Sequence, residues 1–473
     1  MPQHRLFIKI TLIACLLIAF AVGLSFVKIV VSERQNYHQQ VMLDISKHQI
    51  STQKIISPFI TVPYVYQQAC NAEPNPELKG KTCNYIAEEL FFPEQSSWDG
   101  TFNVTNQEYQ RTIYHAISYI SKLDNQGEFK AIQNTSRAYQ WEKAKFVLPV
   151  KDLRGIQNKP ILTVNEQKLT LDFPKDKNQN SEFNYLEVAI PHLTTASFNY
   201  TLNLELEGLQ DFSLIPTTEN LQFNAQGNWG DIKFKGDGLP QQNHAATKKF
   251  NASWSSITLG YQNQQSLIQC WATDSCKDMF NFASTAYKDH SYSSYNISGF
   301  EIEFIEPINI YSQTDRAVKY GWMMTLITFG SFFLFEMIKG LRIHPIQYGL
   351  VGTAQSIFFI LLLSLSEQIS FITAYGIASI ACIGLISWYL SFILKSWRST
   401  ALFSVLISSL YGVMYMLLQS AEKTFLMGSL FSFFIVAAVM YLTRHIDWYD
   451  IGDQFTSPNS KTKEIKNADL NHD

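Results

Sequence analysis

The chain has 473 residues, 46% hydrophobic, 14% aromatic and 16% charged, with a formal net charge of −3. So small a charge, with no basic patch in the polar half, argues against a nucleic-acid partner, because phosphate neutralisation needs clustered Lys and Arg. The mean hydropathy of −0.05 looks soluble, but it averages a polar segment, Ser32–Lys319, with a membrane-like segment after it.

Leu6–Val31 is an apolar run preceded by His4 and Arg5, with Lys9 near its start and Lys28 near its end. A helix needs roughly 20 apolar residues to cross hydrocarbon, and lysines near its ends can snorkel to the headgroups. Residues 1–31 are therefore expected to form an N-terminal transmembrane anchor. Ala19-Phe20-Ala21 has the small-x-small form of a signal-peptidase site, yet the apolar run continues past it, longer than a cleavable core.

Residues 32–315 read as a large β-rich, sandwich-like domain with a helical stalk over Ser32–Lys47. In Phe198–Glu207, Phe198, Tyr200, Leu202, Leu204 and Leu206 alternate with Asn199, Thr201, Asn203, Glu205 and Glu207. Period two means one buried and one wet face. Leu221, Phe223 and Ala225 repeat the pattern, as do Phe300, Ile302 and Phe304, and Ile161–Phe173 reads as a hairpin turning at Asn165-Glu166. Short strands punctuated by turn residues suggest antiparallel layers.

Six cysteines are present. Cys15 and Cys382 lie in apolar runs, where a free thiol packs as a small hydrophobe. Cys70 and Cys83 flank a Pro- and Asn-rich loop, and Cys270 and Cys276 flank WATDS, so these four are disulfide candidates. Local disulfides imply an oxidising compartment such as the periplasm. Reduced thiols or a zinc site are the alternatives; zinc is disfavoured, since neither pair has CxxC spacing or a nearby His.

Residues 316–450 carry five apolar stretches, 320–338, 345–365, 369–394, 401–419 and 424–443, expected to form a five-helix transmembrane block. A soluble helix keeps one polar face, and these do not. Residues 451–473 are expected to be a disordered cytoplasmic tail. Arg5 and Lys9, then Lys339 and Arg342, Lys395 and Arg398, and Arg444 all fall on one side when the spans alternate. The positive-inside rule makes that side cytoplasmic, which puts both termini inside and residues 32–319 outside. Small residues recur at four-residue spacing: Ser370, Ala374, Ala378 and Cys382; Ser404, Ser408 and Gly412; Gly352 and Ser356; Gly428 and Ser432. Such stripes let helices approach closely. Glu336 is the one ionisable group clearly inside a span, expected to pair with Lys339 near the cytoplasmic end. Glu367 is expected to sit in a polar turn. The spans otherwise read as poor in buried polar groups, unlike a transporter.

No HExxH, GxSxG, Walker loop or dinucleotide glycine pattern occurs, and the ten histidines have no ligand spacing. No catalytic residue, metal or cofactor is expected. Sequons at Asn103, Asn251 and Asn296 are short enough to arise by chance.

Several segments resemble the CreD family of bacterial inner-membrane proteins. They are Asp315–Gly321 (DRAVKYG), Leu341–Tyr348 (LRIHPIQY), Leu361–Glu367 (LLLSLSE), Leu418–Ser420 (LQS) and Tyr441–Tyr449 (YLTRHIDWY), with weaker echoes at Ser57–Tyr64 and Asp152–Ile156 (DLRGI). Gln368 and Ser57 depart from the family, which usually carries His and Gly there. The resemblance implies a role in cell-envelope integrity or envelope stress and no assigned enzyme activity. The expected partners are the lipid bilayer and an envelope protein or lipid bound by the outer domain. The rival readings are a transporter or lipid-handling protein, and a membrane enzyme with an unrecognised site.

Overall fold

The computed structural model describes residues 3–70, 81–111, 114–131, 137–174, 183–190, 193, 196–246, 248–273, 275–280, 297–306, 310–339, 343–394, 396–419 and 424–444. The chain splits into two compact units, Met1–His38 with Ile308–Asp473, and Gln39–Pro307. The expected tail, residues 451–473, lies outside the described residues, as do Asn296 and the loop charges Arg342 and Lys395.

Helix α1, Gln3–His48, opens the chain and runs unbroken through both the apolar segment and the expected stalk. Leu6–His48 contains no Pro and a single Gly, Gly23, so little in that stretch opposes a continuous helix.

The strands of the unit Gln39–Pro307 are β1 Gln53–Ile56, β2 Phe59–Ala69, β3 Thr82–Phe91, β4 Gln95–Arg111, β5 Tyr114–Phe129, β6 Ala138–Tyr139, β7 Lys145–Pro149, β8 Ile161–Val164 and β9 Gln167–Thr170. After them come β10 Tyr185–Ala189, β11 Phe198–Leu209, β12 Asp211–Ile215, β13 Asn220–Gly227, β14 Ile232–Gly236, β15 Gln242–Ala246, β16 Lys249–Ser256, helix α2 Leu259–Ala272 and β17 Phe300–Phe304. They build three sheets: an eight-stranded one ordered β15-β16-β13-β4-β5-β11-β8-β9, a four-stranded one ordered β1-β12-β17-β14, and a five-stranded one ordered β10-β7-β2-β3 with β6 on β2.

The alternating segments behave as read except at Glu207, expected on the wet face, which is buried and accepts from Tyr109 OH at 2.6 Å. In β11 the residues from Phe198 to Leu204 alternate between buried and exposed, and β13 does the same. The hairpin β8–β9 turns at Asn165 and Glu166, with φ of 48° and 67°. Positive φ at both central residues matches the right-handed twist of the strands; Asn tolerates it readily and Glu does so at some cost. Two pairings depart from the antiparallel expectation: β1 lies parallel to β12, and β4 parallel to β13. Parallel neighbours need a long crossover, and here the chain between β4 and β13 supplies it.

The sandwich core forms where the four-stranded sheet packs on the eight-stranded one. Phe102 on β4 contacts Phe212 on β12 at 5.0 Å and Phe304 on β17 at 5.7 Å between ring centroids. A second cluster gathers Ile56, Phe59 and Val147 with Leu267, Cys270 and Met279 beside α2. Asn263 fixes α2: its Nδ2 donates to Pro216 O and Ser298 O, and its Oδ1 accepts from Ser298 N.

The other unit adds α3 Ile310–Lys339, α4 Pro345–Ser366, α5 Phe371–Leu394, α6 Trp397–Gln419 and α7 Thr424–Thr443 to the start of α1. Among the described residues, five helices are long and apolar enough to cross a membrane: Thr11–His48, Ile310–Glu336, Pro345–Ser366, Phe371–Leu394 and Trp397–Gln419. In α7 the described apolar stretch, Leu426–Ala437, is shorter. Helix α3 starts ten residues before the apolar run expected from Tyr320, because Asp315 and Lys319 pair one turn apart at 2.6 Å and support a polar first section.

Candidate functional site

The outer face of the eight-stranded sheet is built by alternation. On β13, Leu221, Phe223 and Ala225 enter the core, which turns Gln222, Asn224 and Gln226 outward. On β4 the outward set includes Gln95, Asp99, Thr101 and Asn103, and on β11 it includes Asn199, Thr201 and Asn203. Amides on neighbouring strands bond across the face. Asn224 Nδ2 donates to Asp99 Oδ1 at 2.9 Å, Gln226 Nε2 to Thr101 Oγ1 at 3.3 Å, and Asn203 Nδ2 to Asp124 Oδ1 at 2.5 Å. Two hollows lie on this surface. One of about 430 Å³ is bordered by Gln95, Gln126, Asn199 and Gln222; one of about 360 Å³ is bordered by Asp99, Asn224, His244 and Asn251.

The four-stranded sheet carries a charged row on its outer face. Lys54, Ser213, Glu301 and Lys235 stand in register on adjacent strands. Lys235 Nζ reaches Glu303 at 2.9 Å and Glu301 at 3.9 Å. Asp211 lies beside them, with its Oδ1 buried and without a hydrogen-bond partner among the described residues. Burial, then the neighbouring Glu301, pushes the Asp211 carboxyl up to about 7, against the pull of Lys235. Burial also lowers the Lys54 ammonium to about 8.

The DLRGI segment is a latch. Asp152 accepts from Ser51 N at 2.8 Å and from Arg154 Nε at 2.9 Å. Arg154 in turn donates to Lys47 O at 2.7 Å and Ser46 O at 3.1 Å, the open carbonyls at the end of α1. A guanidinium there satisfies orphan carbonyls and suits the negative end of the helix dipole. Burial alone would raise the Asp152 carboxyl; the Arg154 and Ser51 bonds outweigh it and hold it below its usual range. Gly155 is needed for close approach, since a Cβ would fall 2.2 Å from Glu207 O. The four disulfide candidates pair as Cys70–Cys83 and Cys270–Cys276.

In the helical unit, polar contacts join α3 to α4 at three levels: Tyr311 OH to Glu367 Oε1 at 3.3 Å, Gln355 Nε2 to Thr328 Oγ1 at 2.7 Å, and Tyr348 OH to Glu336 Oε2 at 2.9 Å. The expectation of few buried polar groups is thus corrected: Thr328, Tyr348 and Gln355 stand singly among apolar neighbours that outweigh them in a hydropathy window, yet they bond between helices. Glu336 is 1% exposed and also accepts from Ile343 N; the Lys339 side chain expected to pair with it lies outside the described residues. Glu367 sits at the C-cap of α4, in the turn expected. The LRIHPIQY segment holds a cap: His344 Nδ1 accepts from Ile346 N, Pro345 opens α4, and Gln347 Oε1 accepts from His344 N. Ala374, Ala378 and Cys382 are buried as the stripe predicts, while Ser370, at its start, is exposed. Gly352 packs on Phe20 of α1. Ser408 and Gly412 are exposed instead, because α6 buries Phe403, Ile407 and Leu410 on another side. Cys15 is also exposed rather than packed.

Among the described residues no group of His, Cys, Asp and Glu could hold a metal ion. Sequence reasoning saw the wet side of β11 but missed the wider amide surface and the Asp211 cluster. Its available signal was the run of Gln222, Asn224 and Gln226 between apolar neighbours.

Membrane-length apolar helices and a three-sheet β domain in one chain define a membrane-spanning protein with a large extramembrane β domain. Residues 5–449 match the family model described as inner membrane protein CreD. The chain belongs to the CreD family of inner membrane proteins. It is 28% identical over 475 residues to inner membrane protein CreD of Escherichia coli (strain K12), covering 99% of both chains. Likenesses to solved structures are remote. A nutrient binding protein from Legionella pneumophila is 8% identical over 50% of this chain and 81% of its own, with a TM-score of 0.22. An M1 zinc metallopeptidase from Deinococcus radiodurans is 8% identical over 34% of this chain and 38% of its own, with a TM-score of 0.17. Scores this low establish no shared fold.

Proposed function

We propose that the protein acts in maintaining the cell envelope by binding through its β domain, without catalysis. On this reading residues 32–319 face the periplasm and both termini face the cytoplasm. The positions of Arg5, Lys9, Arg398 and Arg444 support that orientation, and the Cys70–Cys83 and Cys270–Cys276 pairs fit an oxidising compartment. The observation that carries the binding role is the amide-lined outer face of the eight-stranded sheet with its two hollows. A second reading, lipid handling, has in its favour an apolar groove of about 240 Å³ bordered by Leu17, Phe20, Ala21, Trp322 and Leu326.

Photo-crosslinking residues placed at Gln126 and Asn224 in living cells test the proposal. Capture of an envelope component from these positions, and not from Lys233 on β14 of the four-stranded sheet, is expected. Capture of lipid alone, or labelling of position 203 only from the cytosol, overturns it.

A further inference from the structure

We propose that the outer face of the eight-stranded sheet binds an uncharged glycan, held by side-chain amides and hydroxyls rather than by stacked rings. The inference rests on the binding role above and names the ligand of that site.

The larger hollow is lined by outward Gln95, Gln126, Asn199, Thr201, Asn220 and Gln222. Each side-chain amide offers donors and an acceptor on one rigid plane. A sugar hydroxyl also donates and accepts, so one amide can satisfy two hydroxyls. Neighbouring strands lie about 4.8 Å apart, so these groups form a regular ladder suited to a repeating chain. Beside the larger hollow, two amides of the same face are fixed before any ligand arrives. Asn224 is held by Asp99 and Asn203 by Asp124, and in each bond the amide nitrogen is the donor, which leaves the amide oxygen to accept from a ligand. Preorganisation of this kind lowers the entropy lost on binding.

Charge and surface character select the class. Glu128 is the charged side chain bordering the larger hollow, and Asp99 borders the smaller one; neither hollow is lined by Lys or Arg among the described residues. A phosphate, sulfate or uronate seated in either hollow would meet a carboxylate with no cation in the lining, and the neighbouring Lys122, in register with Thr101, faces Glu205. Protein partners are usually anchored by Trp, Tyr or Arg. Tyr200, which borders the larger hollow, is 1% exposed and belongs to the core. Acyl chains would meet polar groups that need hydrogen bonds. A neutral polyhydroxylated chain satisfies the surface as it stands.

The test is calorimetric titration of the full chain in a detergent without a sugar head group. The probes are a neutral β-1,4-linked N-acetylglucosamine hexamer, a neutral α-1,6-linked glucose hexamer, a heparin hexamer and a hexapeptide of Gly, Ala and Ser. Binding of at least one neutral oligosaccharide, with little or none of the other two probes, is expected. The double substitution Gln126→Ala with Gln222→Ala should weaken it about tenfold or more, since each lost hydrogen bond is worth about 1 kcal/mol. Lys233→Ala, exposed on β14 of the four-stranded sheet, should leave it unchanged. Both variants should keep the parent circular dichroism spectrum. Absence of binding by either neutral oligosaccharide, tighter binding of heparin or peptide, or equal affinity in the double variant overturns the inference. Capture of a protein from Gln126 in cells, with no oligosaccharide binding, overturns the glycan and leaves the binding role standing.

Discussion

Asp211 makes the stability of the β domain depend on pH in a direction opposite to that of most carboxylates. Burial, with Glu301 nearby, pushes its carboxyl up to about 7. An unfolded Asp titrates near 3.9. Because the folded value is the higher one, the stabilisation is fully present below about pH 4 and is lost as pH rises through about 7. Integrating linkage for this single site gives a loss of about 2 kcal/mol between pH 5 and pH 7. Lys54 titrates at about 8, so it stays charged over most of that window and perturbs the slope little. Asp211→Asn keeps the shape and removes the ionisation. The assay is urea unfolding of the full chain in detergent, followed by the fluorescence of buried Trp98 and Trp254. The parent should lose stability from pH 5 to pH 7, and Asp211→Asn should remove about 2 kcal/mol of that decline. Equal slopes in parent and variant would refute the reasoning, because they would mean that solvent or a neighbouring cation offsets the burial of Asp211 in the fold.

Three further outcomes are expected. Arg154→Ala should free the carbonyls of Ser46 and Lys47 and unpair Asp152, costing about 2–3 kcal/mol in the same unfolding assay; Arg154→Lys should restore only part of it, because a point charge cannot make the same fork of bonds. Gln355→Leu removes the contact with Thr328 and should lower bundle stability by about 1 kcal/mol, read as faster unfolding in dodecylsulfate. Gly352→Leu should separate α4 from α1, since even its Cβ would lie 2.3 Å from Phe20; oxidative crosslinking of Leu16→Cys to Gly349→Cys, in a Cys15→Ser background, should fall with it.

Much of the architecture could be read from local pattern. Period-two alternation located β11, β13 and β17, and hydropathy located the membrane helices, because both signals repeat within a few residues. The β4–β13 pairing could not be read this way. Asp99 and Asn224 meet across 125 residues of chain, and no local rule selects such a neighbour. The amide surface therefore appeared in sequence only as separate polar positions. Helix α2 was missed because two of the four positions on its buried face are Gly260 and polar Asn263, beside Leu267 and Cys270, so few apolar residues mark it. Family resemblance flagged DLRGI and LRIHPIQY but gave them no chemistry; both prove to hold helix ends, through Arg154 and His344.

The Arg154 contact sets where one cooperative unit stops. The closing turn of α1 cannot fray without giving up the Arg154 bonds to the Ser46 and Lys47 carbonyls, and Arg154 is held in turn by Asp152, which is tied to Ser51. Amide exchange in Leu43–His48 should therefore follow the opening of the strands, while the preceding turns, which lack this clasp, exchange on their own schedule. A single uninterrupted helix thus melts as two pieces, divided by a side chain that enters the sequence about a hundred residues later.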